Sequence, residues 1–242
     1  MNADVLTTKV SDGNAVITLG SAKRLYFNAE MGDALTEALD QFAGDPNVRV
    51  VIVTGGAPGY FNRHFSIPTL IQIAEALRVS GRQWPENATY NSGFFDKAMA
   101  LCESMPKPVI AAISGTALAG AFEFALSCDL RIAEDGDYLI GLPEAELGLL
   151  PGAGGTQRLP RIIGTPAALM HILMGQPLNP REAERKGWCT KPSAARRSTA
   201  QWRLHGACRH SRRNRSLTSS VSSATPPRRR WHRDWHSNEI SS

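Results

Sequence analysis

The stretch Pro106–Leu159 reads PKPVIAAISGTALAGAFEFALSCDLRIAEDGDYLIGLPEAELGLLPGAGGTQRL, and the rest of the chain is arranged around it. Val109–Ile113 is a continuous apolar run suited to a buried strand. It leads into a Gly/Ala-rich turn, Gly115–Gly120, which opens a short helix carrying Glu123 among Phe122, Phe124, Ala125 and Leu126. A second carboxylate, Glu144, follows Pro143 at the end of another apolar run. Two carboxyls in apolar settings, beside a turn with free backbone N–H groups, suit acid–base chemistry on a polarised carbonyl.

Outward from that stretch, strands and helices alternate. Ala15–Leu19 and Val48–Thr54 read as strands. Glu30–Ala43 sets Leu35, Ala38, Leu39 and Phe42 at helical spacing, and Pro68–Val79 also reads as helix. Ser80–Ser92 mixes Gly, Pro, Asn and Trp and reads as an irregular excursion. Phe94–Met105 is helical, with Phe95, Ala98, Met99, Cys102 and Met105 facing inward. Thr156–Ile163, Pro166–Met174 and Pro180–Lys186 are three further short helices. The alternation predicts an α/β fold with parallel strand pairing.

The central stretch resembles the enoyl-CoA hydratase/isomerase (crotonase) family. The residues that carry the resemblance are Ala119-Gly120-Ala121-Phe122-Glu123, Cys128-Asp129, Pro143-Glu144, Leu147-Gly148 and Pro151–Leu159, with weaker similarity from Val16 to Trp188. The resemblance implies a spiral of ββα units, usually assembled into homotrimers or hexamers. It also implies a lyase that adds water to a 2-enoyl-CoA thioester, with CoA as part of the substrate and no separate cofactor or metal. Isomerisation or thioester hydrolysis of an acyl-CoA are the alternatives within the family.

Glu123 and Glu144 occupy the family's two catalytic positions, and which of them activates water is left open. Gly120 falls at one oxyanion donor, whose N–H would hold the thioester oxygen. The second donor falls at Phe65 in Phe61-Asn62-Arg63-His64-Phe65-Ser66-Ile67. The family's usual Gly is here His64, which would be strained if the loop demands positive φ. Ser66, Ile67 and Pro68 beside the donor are candidates for binding CoA. Lys23 and Arg24 are candidates for its phosphates, with plain surface charge as the alternative. Glu146, if the chain is extended there, shares Glu144's side; otherwise it is a surface acid or a partner of Arg158 or Arg161. Pro151–Thr156 is glycine-rich before a helix but lacks the Lys-Ser/Thr ending of a nucleotide-binding P-loop. The resemblance assigns it to the site wall next to Glu144.

Net charge divides the chain. Residues 1–190 hold 15 Lys and Arg against 20 Asp and Glu, whereas residues 191–242 hold 12 against 2. The basic pI therefore belongs to the tail. Cys102, Cys128, Cys189 and Cys208 show no paired spacing, and Cys102 and Cys128 sit in apolar runs as small core residues. No leader or bilayer-length apolar stretch is present, so the expectation is a cytoplasmic protein with no membrane partner.

The expected domain is therefore 1–190, with 191–242 a separate basic Arg/Ser-rich tail. The tail has no apolar periodicity and is expected to be disordered. Its His205, Cys208, His210, His232 and His236 match no common zinc spacing. The family pattern breaks off near Trp188, as a shifted reading frame would make it; a genuine basic appendage is the alternative. Such an appendage, with Trp231 and Trp235, would bind nucleic acid through charge and stacking on an inactive body.

Overall fold

A two-residue turn starts the fold. Asp12 and Gly13 both have positive φ (54° and 80°), as a tight hairpin with right-handed strand twist requires. The turn joins β1 (Leu6–Ser11) to β2 (Asn14–Leu19) antiparallel, in register from Ser11↔Asn14 to Leu6↔Leu19. The sequence reading missed β1. It is an edge strand in which only Leu6 is buried, so it carries no apolar alternation. In β2 the alternation is clean, with Ala15, Ile17 and Leu19 buried.

The computed structural model describes residues 4–81 and 94–189, all within one unit, Met1–Arg196. Most of the irregular segment expected over Ser80–Ser92, and the whole tail with its disorder, metal and nucleic-acid readings, lie outside the described residues. Among the described residues no helix is long and apolar enough to cross a membrane.

Behind β2, strands β3 (Val50–Gly55), β5 (Val109–Ile113) and β7 (Leu130–Ala133) add in parallel, in the order β1-β2-β3-β5-β7. All five residues of β5 are buried, which explains a continuous apolar run in place of alternation. A second parallel sheet holds β4 (Tyr60–Asn62), β6 (Thr116–Leu118) and β8 (Ile140–Gly141). The chain thus visits one sheet, then the other, then a helix. The passes are β3–β4–α2 (Ile67–Ser80), β5–β6–α4 (Gly120–Ser127) and β7–β8 with a 3-10 turn at Glu144–Leu147. This is the expected spiral of ββα units. Gly115–Gly120, expected as a turn, is not turn throughout, because Thr116–Leu118 pairs with β4 and β8 as β6.

Helix α1 (Ala29–Gly44) buries Met31, Leu35, Ala38, Leu39 and Phe42 along one face, and Asn28 Oδ1 caps it by accepting the Met31 N–H at 2.9 Å. α3 (Phe94–Ser104) packs against α1 and buries Phe95, Ala98, Met99 and Cys102, while Met105 just beyond it is partly buried. After the 3-10 turn come α5 (Gly155–Ile163), α6 (Thr165–Met174) and α7 (Pro180–Arg185), the last with an Asn179/Glu182 capping box. α4 differs from all of these. Every one of its eight residues is buried, so it is a core helix, and whatever Glu123 does it does out of bulk water.

Candidate active site

Glu123 is 2% exposed. Its Oε1 accepts two backbone N–H groups, from Ala153 and Gly155, each at 2.8 Å. Those donors belong to the glycine-rich run at the start of α5, where N–H groups lack intrahelical acceptors. A Cβ on Gly155 would meet Oε1 at 3.0 Å, so glycine there lets the backbone come this close. The run therefore serves Glu123, in addition to lining the cavity through Gly152 and Ala153. Burial pushes the carboxyl up to about 7; the Gly155 and Ala153 N–H groups and the Arg158 charge oppose that rise, and Asp96 adds to it.

Glu144 begins the 3-10 turn and is also buried. Its Oε2 finds no hydrogen-bond partner among the described residues. Burial raises this carboxyl to about 8, and the charge of Glu123 adds to the rise. The 3-10 geometry corrects the extended reading of Glu146. Side chains two apart do not share a face in such a turn, and Glu146 is exposed. Neither proposed cation reaches it: Arg158 pairs with Glu103 at 2.6 Å, and Arg161 bonds Gln157 O at 2.6 Å.

Two carboxyls held above their ordinary range leave a pH signature. The folded state binds protons that the unfolded chain has released, so stability falls as pH rises from about 4.3 toward 7 and 8. Urea unfolding at pH 5, 6.5 and 8 is expected to show this decline, at up to about 1.4 kcal/mol per pH unit per proton. Glu123→Gln and Glu144→Gln are each expected to flatten it. A profile unchanged in both variants would mean that neither carboxyl is desolvated.

Across the cavity, Phe65 forms a parallel bridge with Phe27: Phe27 N donates to His64 O at 3.3 Å and Ser66 N donates to Phe27 O at 3.0 Å. The groups of His64 and Ser66 face Phe27, so Phe65 turns its own N–H the other way. There it meets α4, where a Cβ placed on Gly120 would lie 3.8 Å from Phe65 N. As the first residue of α4, Gly120 has an N–H that the helix itself leaves without an acceptor. His64 carries no strain, since Asp12 and Ala119 are the non-glycine residues with positive φ among those described. Its ring packs on Tyr26, and its Nδ1 lies 2.7 Å from Phe65 O, the geometry of an N–H donating to that carbonyl.

The strain lies one residue before Gly120. Ala119 has φ 53° and ψ −127°, a conformation proper to glycine. Ala119→Gly is therefore expected to stabilise the protein by about 1 kcal/mol, relieved strain exceeding the added chain entropy. Thermal unfolding checks this, and an unchanged or lower Tm would count against strain at this turn.

Glu123, Glu144, Phe65 and Gly120 all line one cavity of about 360 Å³. Its other walls are mostly apolar, from Ile67, Leu70 and Ile73 of α2 and from Leu147, Leu149 and Leu150, with His64 also on the lining. Of the CoA candidates only Ile67 lines it. Ser66 caps α2, its Oγ accepting from Thr69 Oγ1 at 2.9 Å, and Pro68 lies exposed in the first turn. Arg24 is bound by Glu30, and Lys23 is exposed outside the cavity wall. Sequence reading missed the part of Leu70 and Ile73, and the two N–H donors on Glu123. An apolar helix residue gives no local sign of facing a cavity rather than core. The PGAGG run was legible only as a glycine-rich helix start on the site wall.

A two-sheet ββα spiral with two buried carboxyls on one cavity defines a fold of the crotonase class. The enoyl-CoA hydratase/isomerase family profile matches residues 10–207, and the chain belongs to that family. It is 36% identical over 188 residues to a Bacillus subtilis protein described as an enoyl-CoA hydratase/isomerase, spanning 77% of this chain and 68% of that one. It is 32% identical to the fatty acid oxidation complex subunit alpha of Shewanella putrefaciens, over 74% of this chain and 25% of that subunit. The solved enoyl-CoA hydratase of Geobacillus kaustophilus superposes with TM-score 0.66 at 32% identity, covering 77% and 67% of the two chains. That of Bacillus anthracis gives 0.65 at 30%, covering 76% and 68%. The chain thus spans about two thirds of the length of these hydratase relatives and a quarter of the oxidation-complex subunit.

Proposed function

We propose that this chain hydrates a 2-enoyl-CoA thioester to a 3-hydroxyacyl-CoA. The observation that carries this reading is the pair of buried carboxyls, raised to about 7 and about 8, on one largely apolar cavity that Phe65 and Gly120 also line. Phe65 N–H and Gly120 N–H donate to the thioester oxygen, where enolate charge develops. Glu123 is the better anion of the pair, because two N–H groups already favour its charge. The shared proton therefore resides on Glu144. Glu123 takes the proton from water as it attacks Cβ, and Glu144 delivers its own to Cα. The apolar wall accepts the acyl chain, and no step calls for a metal or a redox cofactor. An assembly into trimers or hexamers belongs to the same proposal.

The test is direct. Purified full-length protein is incubated with crotonyl-CoA, and loss of the conjugated thioester is followed together with formation of 3-hydroxybutyryl-CoA. Hydration supports the reading. Folded protein that instead shifts the double bond of a 3-enoyl-CoA, or releases free CoA, would replace it with the isomerase or hydrolase reading.

A further inference from the structure

The chemistry proposed above leaves one buried charge pair unused. Arg158 of α5 donates from Nε to Glu103 Oε1 of α3 at 2.6 Å, and both side chains are largely buried, at 16% and 17% exposure. Arg158 Nη1 also donates to Ala153 O at 2.7 Å and lies 3.5 Å from Met99 Sδ. Ala153 is one of the two residues whose N–H holds Glu123 Oε1. Guanidinium and carboxylate thus grip the same residue, one by its C=O and the other by its N–H. The next residue leaves no slack: Gly154 has φ 91°, and a Cβ on it would lie 2.2 Å from Arg158 Nη1.

We propose that the Arg158–Glu103 pair is a positioning device for Glu123, fixing the loop that donates to it and setting the net charge that faces it. Arg158 faces Glu123 from α5 and favours its anion, while Asp96 from α3 opposes it. Glu144 interacts with it from the 3-10 turn. Strand β6, Thr116–Leu118, brings no ionisable side chain. Glu103 reaches Glu123 through Arg158, by neutralising part of the guanidinium's field. A cation beside a buried carboxyl is otherwise a one-way influence; pairing it with an anion sets an intermediate level.

A plain clamp between α3 and α5 would use the same contacts, and charge-selective variants separate the two roles. Arg158→Met removes the cation and keeps much of the side-chain volume. Glu103→Gln keeps the acceptor and removes the anion. The Glu123 carboxyl is titrated by NMR in full-length protein carrying ¹³C-glutamate, its signal assigned by its loss in Glu123→Gln. Arg158→Met is expected to raise the Glu123 midpoint by roughly half a pH unit or more, and Glu103→Gln to lower it comparably. Shifts of one sign in both variants, or below about 0.2 unit in both, overturn the proposal. If Arg158→Met does not fold, Glu103→Gln decides alone: a fall supports it, and no change or a rise overturns it.

The role matters because of the proton-transfer reading of Glu123, but the titration needs no turnover. Opposite shifts in a protein that hydrates nothing would retain the positioning pair and sink the hydratase reading. Where hydration is present, the acidic limb of the kcat/KM–pH profile is expected to move with the titration in each variant.

Discussion

Glu144→Gln is expected to lower kcat for crotonyl-CoA hydration by about 10²–10⁴-fold, the range for removing a positioned acid or base. Gln matches the shape of Glu but holds no transferable proton, so Cα would be left without a positioned acid. KM is expected to change far less, because the apolar wall and the two N–H donors remain. Glu123→Gln should cost a similar factor for a different reason. The amide oxygen can still accept from Ala153 and Gly155, keeping the loop in place, but it cannot take a proton from water. It also removes the charge that helps to raise Glu144, so Glu144 should titrate lower in that variant. The double variant should be little worse than either single one, since the two act as a unit. Retention of more than about a tenth of kcat by either would remove that carboxyl from the chemistry.

Trp188→Ala is expected to destabilise the protein by about 3–5 kcal/mol, a large share of what a domain of this size has. Trp188 is 1% exposed. Its ring stacks on Phe122 at 5.3 Å and meets the edge of His171 at 4.8 Å. Its backbone is tied as well: N donates to Ala183 O at 2.8 Å, and O accepts from Arg131 Nε at 2.9 Å. Removing the indole leaves a hole between α4, α6 and the end of α7 that these anchored neighbours cannot close. Because Phe122 precedes Glu123 on α4, turnover should fall along with stability. Trp188→Phe should cost much less: it keeps an aromatic face and deletes a buried Nε1–H with no partner among the described residues. Urea midpoints of the two variants check this. A loss below about 1 kcal/mol in Trp188→Ala would mean that the ring is not a core member.

The Trp188 contacts bear on the end of the described residues, short of residue 207, where the family match ends. From sequence, Trp188 is only the last residue that resembles the family. In the structure it is the plug that ties the last described segment to the helix bearing Glu123. Local patterning could not show this, because its partners lie 66 and 17 residues away along the chain.

Much of the architecture was legible because it rests on periodicity. The apolar alternation of β2, the unbroken run of β5 and the 3.6-residue spacing of α1 and α3 each bury the face that their pattern marks. β1 was not legible, because every residue after Leu6 is exposed, so the strand carries no apolar alternation. β6 was hidden because Thr116-Ala117-Leu118 is too short to carry a period and lies among glycines.

The sequence alone determined that Glu123 and Glu144 would stand in apolar settings, since Phe122, Phe124, Ala125 and Leu126 flank Glu123 and Glu144 ends an apolar run. It also determined the strand–helix alternation that makes the spiral. Tertiary structure decided what surrounds those carboxyls. It brought Phe65 next to Gly120, set Ala153 and Gly155 on Glu123, and paired Arg158 with Glu103 rather than Glu146. It also moved the expected strain from His64 to Ala119. Burial follows from side-chain chemistry repeated along the chain, which a sequence displays. A hydrogen bond or an ion pair depends on angstrom-scale distances between segments brought together by packing, and no local pattern encodes those.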